Sequence, residues 1–371
     1  MLASSFFGPS QEKATSNALW DLVADDVGLG NQLYRNYIGM RDHATAPQPT
    51  RFAPVTYSFS VKLRGRGDAK AKKEPFDVLR LVWHDYPGEW FEESTSSEEE
   101  ANRRIGTFRS LLRSDVALLL VDGQKLLDFK GEEDRYLKSL LTNIRQGLLQ
   151  LREDLLAGGD RLVEFPRIWI IALSKADLFP DWDVRAFRDL VIWNAGEHID
   201  LLRGTLQDLV RTPEALSLGE DFMLLSSARF ERSPSGPEPV QIDVTKRVGV
   251  DLILPVASLL PLERRVQWEQ RMRIPREVLD TVADGAGTLA AVLIGGKAIG
   301  MDRLLAKVPV VGPFAKAAYP ALIAAVKMSG PQLREINARA RENHDYLTAT
   351  LTQFRLELDR GEAEGLLIRS K

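Results

Sequence analysis

Residues Phe76 to Glu89 read FDVLRLVWHDYPGE, an apolar run that ends at Asp85 and the turn sequence YPGE. Large and β-branched apolar residues favour a buried strand, and the Pro-Gly pair predicts a turn directly after it. The carboxylate of Asp85 is therefore expected at the carboxyl end of a central strand, where ligands bind in open α/β sheets. Such an oxygen ligand suits a magnesium-bound phosphate, although a buried strand ending in an ordinary turn would produce the same pattern.

Composition excludes several classes of function. The chain has 371 residues, a formal net charge of -3, no cysteine and four scattered histidines. Mixed charges of both signs predict no nucleic-acid surface, and the lack of cysteine excludes disulfides and zinc sites built on sulfur. The opening residues, MLASSFFGPS, have no basic residue and too short an apolar run for a signal peptide. We therefore expect a cytoplasmic protein.

Hydrophobic patterns predict a doubly wound, mostly parallel α/β sheet. An alternating segment predicts an antiparallel hairpin with the first strand, and three later apolar runs separated by helical patterns predict parallel strands covered on both faces. Helical spacing also extends over an early segment that contains Gly28 and Gly30. The early helical segment is Ala14 to Tyr37, and the hairpin segment is Val55 to Leu63. The three later apolar runs are Ser114 to Val121, Ile168 to Leu173 and Asp221 to Leu225.

Strand-like apolar runs separated by helical patterns end near residue 260, and only helical patterns follow. We therefore predict an α/β domain over residues 1–260 and a helical carboxyl-terminal region over residues 261–371. Apolar helices are expected over residues 285–328 and an amphipathic helix over residues 331–360. The apolar helices are interrupted by charges, Pro and Gly, so neither is a clean spanning segment. Packing within the protein or against a partner is the simpler interpretation, and peripheral membrane contact stays open.

Polar residues at the ends of the later strands carry the predicted chemistry. The sequence Ser174-Lys175-Ala176-Asp177 follows the apolar run that ends at Leu173. The pair Ser227-Ala228 lies just after the apolar run that ends at Leu225. An aspartate placed after Lys-x can accept hydrogen bonds from N1–H and the exocyclic amine of guanine, while the lysine stem lies across the base. Adenine lacks that pair of donors, and the buried acceptors would then stay unpaired. The pattern favours guanine over adenine nucleotides.

The boxes Asp85-x-x-Gly88, Ser174-Lys175-x-Asp177 and Ser227-Ala228 occur in that order. They resemble the Asp-x-x-Gly, (Asn/Thr)-Lys-x-Asp and Ser-Ala boxes of P-loop GTPases of the translation-factor-related (TRAFAC) class. The variant DYPGE looks more like the bacterial branch called double GTPases than like Ras-type switches. The resemblance spans residues 1–230 and implies a P-loop GTPase-like fold that binds GTP or GDP with Mg²⁺.

The resemblance implies roles for residues around the phosphates. Asp85 would hold Mg²⁺ through water, and the amide of Gly88 would contact the γ-phosphate. Glu89 stands where many family members place the glutamine that orients the attacking water, so it is the catalytic candidate. Thr50 is a better candidate than Thr45 for the switch threonine, because it lies nearer the following strand.

The resemblance also assigns the base site. Lys175 and Asp177 would bind guanine, with Ser174 standing where the family has Asn or Thr. Ser227 would bring a hydroxyl to the edge of the base, and Ala228 would allow close approach of the backbone.

One family element is missing: no segment of the 371 residues contains the Walker A loop Gly-x-x-x-x-Gly-Lys-(Ser/Thr). Either the sequence begins late, after a first strand and phosphate loop, or the protein is a degenerate relative; we favour the late start. In both cases a chain of these 371 residues is expected to bind nucleotide poorly, because that loop supplies most of the charge complement of the phosphates.

The sequence therefore predicts a guanine-nucleotide switch that hydrolyses GTP when the phosphate loop is present. Its nucleotide state would be transmitted to a protein effector, or to a membrane, through the carboxyl-terminal helices. The alternative is a non-hydrolysing scaffold on the same fold that acts through protein contacts.

Overall fold

The computed structural model describes residues 1–12, 20–48, 54–63, 79–85, 98–156, 159–163, 165–232, 239–271 and 349–370. Its strands are β1 (Trp20–Ala24), β2 (Val55–Leu63), β3 (Leu79–Asp85), β4 (Val116–Asp122), β5 (Ile168–Ser174), β6 (Ser217–Leu224), β7 (Arg229–Arg232), β8 (Pro239–Asp243) and β9 (Leu367–Ile368). Its α-helices are α1 (Leu2–Phe7), α2 (Val27–His43), α3 (Glu98–Leu111), α4 (Gly123–Asp128), α5 (Glu133–Gln150), α6 (Arg152–Leu155), α7 (Val184–Leu209), α8 (Ile253–Arg271) and α9 (residues 349–363).

The early helical prediction was wrong over Trp20–Ala24, which forms β1 and pairs antiparallel with β2. Leu22 is buried in this strand, whereas Asp21 and Val23 on either side of it are more exposed. The alternation is typical of a strand with one packed face. The helix begins later, at Val27, where the side chain of Asp26 accepts a hydrogen bond from the amide of Leu29.

The hairpin prediction is confirmed, because β2 and β3 pair antiparallel with Val55 opposite Asp85. Among the described residues, however, β3 lies at the edge of a three-stranded sheet in the order β1-β2-β3. Exposed Val82 alternates with Trp83, whose ring packs 5.8 Å from that of Phe6 in α1. The prediction of a buried central strand was therefore wrong for β3, because its apolar residues pack on one face.

A separate four-stranded sheet has the order β4-β5-β6-β9, with β4, β5 and β6 parallel and β9 antiparallel at the edge. The α/β class is thus confirmed. In β5, Trp169 and Ile171 face a core shared with α5 and α7, and Ile170 on the opposite face is also fully buried. Both faces of β5 are covered, which explains its uninterrupted apolar sequence.

A buried carboxylate ties β6 to the carboxyl-terminal part of the chain. Asp221 is fully buried and accepts hydrogen bonds from Arg264 Nη2 at 2.8 Å, the Ser370 amide at 2.9 Å and Ser217 Oγ at 2.8 Å. Since a buried charge is tolerated only when it is paired and hydrogen-bonded, this cluster fixes α8 and the terminal residues to the sheet.

The chain divides into two compact units, one of Met1–Arg264 with Phe354–Lys371 and the other of Arg265–Gln353. The end of the chain thus belongs to the first unit. The apolar helices predicted over residues 285–328 lie outside the described residues, as do residues 331–348 of the predicted amphipathic helix; residues 349–360 of that helix are helical. None of the helices in the described part of the chain combines the length and apolar character needed to cross a membrane.

Candidate functional site

The candidate site lies where β4, β5 and β6 end. In the parallel register Asp122 stands opposite Ser174, and Leu173 stands opposite Leu224. The loops that follow β5 and β6 therefore leave the same edge of the sheet. They are also bonded to each other, because the amide of Ala176 donates to the carbonyl of Leu225 at 3.1 Å. This edge is where parallel α/β sheets bind ligands.

Asp177 lies between these two loops. Its Oδ1 accepts a hydrogen bond from Ser226 Oγ at 2.5 Å, and its Oδ2 lies 3.4 Å from the amide nitrogen of Phe230. A carboxylate oxygen can accept two hydrogen bonds, so both oxygens retain acceptor capacity. Ser226 Oγ also lies 2.8 Å from the carbonyl oxygen of Ala228, but its single proton can make only one strong bond. The short distance to Asp177 favours donation to the carboxylate.

Lys175 spans the neighbouring strand ends. Its Nζ lies 2.8 Å from Asp122 Oδ2, and its side chain is about half exposed. The backbone of Lys175 is left-handed, with φ 55° and ψ 39°. Such a conformation is uncommon and unfavourable for a residue with a Cβ, and it persists only where surrounding contacts enforce it.

Gly123 permits this close arrangement of strand ends. A Cβ at this position would lie 2.6 Å from the carbonyl oxygen of Ser174 and 3.1 Å from that of Lys175. Both are backbone atoms of the loop that carries the lysine, so a larger residue would displace that loop. Position 123, directly after β4, therefore requires glycine, because the loop after β5 leaves no space for a side chain.

Ser227 and Ala228 are both buried. The side chain of Ala228 packs in a small apolar cluster with Tyr37, Met40 and Ile242, so it supports the loop from inside the protein. The hydroxyl that contacts Asp177 belongs to Ser226, which sequence reasoning did not select. The doubled serine was the only signal for it, and a pattern of residue types does not tell which of two adjacent hydroxyls faces the loop of β5.

Asp85 ends β3, a strand that packs against α1 through the rings of Trp83 and Phe6. Trp83, two residues before Asp85, packs its ring 5.8 Å from that of Phe6 in α1. Along α1, the carbonyl of Ser5 accepts a hydrogen bond from Arg247 at 2.8 Å. The next residue after Arg247 pairs through its backbone with Ser226. Contacts made by α1 thus connect β3 with the loop beside Asp177.

The remaining predicted site residues, Thr50, Gly88 and Glu89, lie outside the described residues. Among the described residues there is no group of three or more His, Asp or Glu side chains that would hold a metal ion by themselves. A Mg²⁺ ion that arrives with nucleotide phosphates needs only one or two protein carboxylates. Asp85 is the last residue of β3, and its sequence assignment to Mg²⁺ stays a prediction.

The ends of β4, β5 and β6 bring several polar side chains to one edge of the sheet. Asp177 supplies hydrogen-bond acceptors and Lys175 supplies an aliphatic stem with a charged tip, while the buried loop of residues 226–228 fixes the carboxylate of Asp177 through Ser226. Such a set can recognise a planar base that carries two adjacent donors.

No protein-family model, no curated protein and no solved structure matched the chain.

Proposed function

We propose that this chain binds the base of a guanine nucleotide at the carboxyl ends of β5 and β6, as part of a GTP-binding switch of the P-loop GTPase class. The observation that carries the proposal is the position of Asp177. Its carboxylate is held by Ser226 from the adjacent loop, and Lys175 lies two residues before it on the same strand end. The carboxylate of Asp177, the side chain of Lys175 and the loop that carries Ser226 thus lie at the same edge of the sheet.

Guanine suits this edge because N1–H and the exocyclic amine are adjacent donors on one side of the ring. The two oxygens of Asp177 would accept both, and bonds to an ionised acceptor are among the stronger hydrogen bonds of proteins. Adenine presents an acceptor at N1 in place of the donor, so the carboxylate would face a lone pair. A site built to pair specific polar groups rejects a ligand that leaves them unpaired.

The phosphates and the metal would lie toward Asp85. If Mg²⁺ is bound with the nucleotide, Asp85 would hold it, and the ion would neutralise charge on the phosphate oxygens. Hydrolysis would require a phosphate loop of the form Gly-x-x-x-x-Gly-Lys-(Ser/Thr), which these 371 residues do not contain. These residues therefore support the recognition of the base. A protein effector would bind the nucleotide-bound form of the chain.

A second candidate is a non-hydrolysing scaffold on the same fold. It is favoured by the internal partners of the two central side chains, since Lys175 already pairs with Asp122 and Asp177 with Ser226. Loops joined in this way hold their shape without a nucleotide. The scaffold predicts no base selectivity, which separates it from the switch.

Titration of the 371-residue chain with guanosine, GDP and ADP, followed by calorimetry or ligand-observed NMR, tests the proposal. For guanosine we expect a dissociation constant on the order of 0.1 to 1 mM, because a few charge-assisted bonds must offset the entropy of association. GDP should bind at least about 100-fold more tightly than ADP, since the discrimination comes from unpaired acceptors. Equal affinities, or no binding of either guanine compound, would contradict the proposal.

A further inference from the structure

The ion pair between Lys175 and Asp122 joins the ends of two strands. Nζ and Oδ2 are 2.8 Å apart, and the side chains of Lys175 and Asp122 are 49% and 33% exposed. Asp122 is the last residue of β4 and stands opposite Ser174 in the register. The lysine side chain must therefore extend sideways, from the loop after β5 to the end of β4.

The carboxylate of Asp122 is itself fixed by the backbone. Its Oδ1 accepts a hydrogen bond from the amide of Gln124 at 2.8 Å, which makes Asp122 the amino-terminal cap of α4. One oxygen thus anchors the side chain and the other is left for Lys175. A cap of this kind restricts the carboxylate to one orientation, so the ammonium is held at one defined point.

The backbone on the other side of the pair is equally constrained. Lys175 is left-handed, and the ends of β4 and β5 approach so closely that Gly123 has no room for a Cβ. Unfavourable backbone conformations that surrounding contacts maintain are concentrated at functional sites. An exposed ion pair contributes little to stability, so stability alone does not account for this arrangement.

We propose that Asp122 is a positioning residue for base recognition: by pairing with Lys175 it holds the lysine stem extended beside Asp177, as a preformed surface on which the guanine ring stacks. The proposal rests on the guanine-binding function described above. A free lysine side chain samples many rotamers and must be ordered when the base binds. The pair with Asp122 supplies that order in advance, which is the general advantage of a preorganised site.

A double-mutant cycle with Asp122→Asn and Lys175→Met tests the inference. Asparagine is as good a helix cap as aspartate, so α4 is retained while the charge is lost. Methionine keeps an unbranched apolar stem and removes the ammonium. We expect Asp122→Asn to weaken guanosine and GDP binding by about 3- to 10-fold, equally for both ligands, because the contact concerns the base. Thermal stability should stay close to that of the parent.

The double variant should bind no more weakly than Lys175→Met alone, since both changes remove the same interaction. Asp134→Asn is the matched control, because it disrupts an exposed pair with Lys138 at 2.9 Å on α5 and should not change binding. Additive losses, or unchanged affinity in Asp122→Asn beside a loss in Lys175→Met, would overturn the positioning role and leave guanine binding intact. Failure of the parent chain to bind guanosine would instead remove the proposed function, and the positioning role with it.

Discussion

Replacing Asp177 by asparagine is expected to change the base preference from guanine to xanthine. One of the two hydrogen bonds from guanine would be lost, the other would lose its charge assistance, and the new amide N–H₂ would face a donor. At about 1.5 to 3 kcal/mol for each bond to a charged group, GDP binding should weaken by about 100-fold or more. Xanthine carries a carbonyl where guanine has its exocyclic amine, so the asparagine amide can donate to it. Binding of XDP should therefore appear in the variant, as measured by calorimetry.

Asp181→Asn is a suitable control for this exchange, because it makes the same chemical change at an exposed position in the loop that carries Asp177. Both the parent chain and the control should prefer GDP to XDP. If Asp177→Asn kept the GDP preference, Asp177 would not determine which base the chain binds. Gain of XDP binding is the stronger readout, since a variant that merely unfolds cannot produce it.

Replacing Asp221 by alanine is expected to destabilise the protein by about 3 to 5 kcal/mol, the typical effect of removing one partner of a buried ion pair. The change would leave Arg264, whose side chain is 15% exposed, without its carboxylate. It would also leave the Ser370 amide without its acceptor and remove the shorter hydrogen bond of the Ser217 hydroxyl, which also lies 3.3 Å from Glu220 Oε2. Urea denaturation followed by circular dichroism would measure the loss.

The double variant Asp221→Ala/Arg264→Met should recover part of that stability, because a buried ion pair replaced by apolar groups is often tolerated. Asp134→Ala, which removes an exposed pair with Lys138, should cost less than about 1 kcal/mol. A loss below about 1 kcal/mol in Asp221→Ala would show that the buried cluster does not hold α8 and the chain end to β6.

Strand β5 could be predicted from sequence because its burial is nearly uniform. Ile168–Ser174 is buried along almost its whole length, and an apolar run without alternation reports that environment directly. For β3 the prediction of a buried central strand was wrong. Its run of Leu, Val and Trp was just as apolar, but Val82 is exposed and the strand is packed on one face. Composition alone does not distinguish these two cases.

The contacts that organise the candidate site depend on residues far apart in the chain. Ser226 is 49 residues from Asp177, and Asp122 is 53 residues from Lys175. The boxes around Lys175 and Asp177 were recognisable because their spacing is local. Which serine of a pair turns toward Asp177, and which acid pairs with Lys175, is decided by strand register, which a single sequence does not encode locally.

Guanosine added to isotopically labelled protein tests the guanine site most directly, through the backbone amide signals that it shifts. We expect the largest shifts for Lys175, Asp177 and residues 226–228, with no comparable shifts when adenosine is added at the same concentration. Shifts confined to other parts of the chain, or the same shifts with both nucleosides, would contradict a guanine site at the ends of β5 and β6.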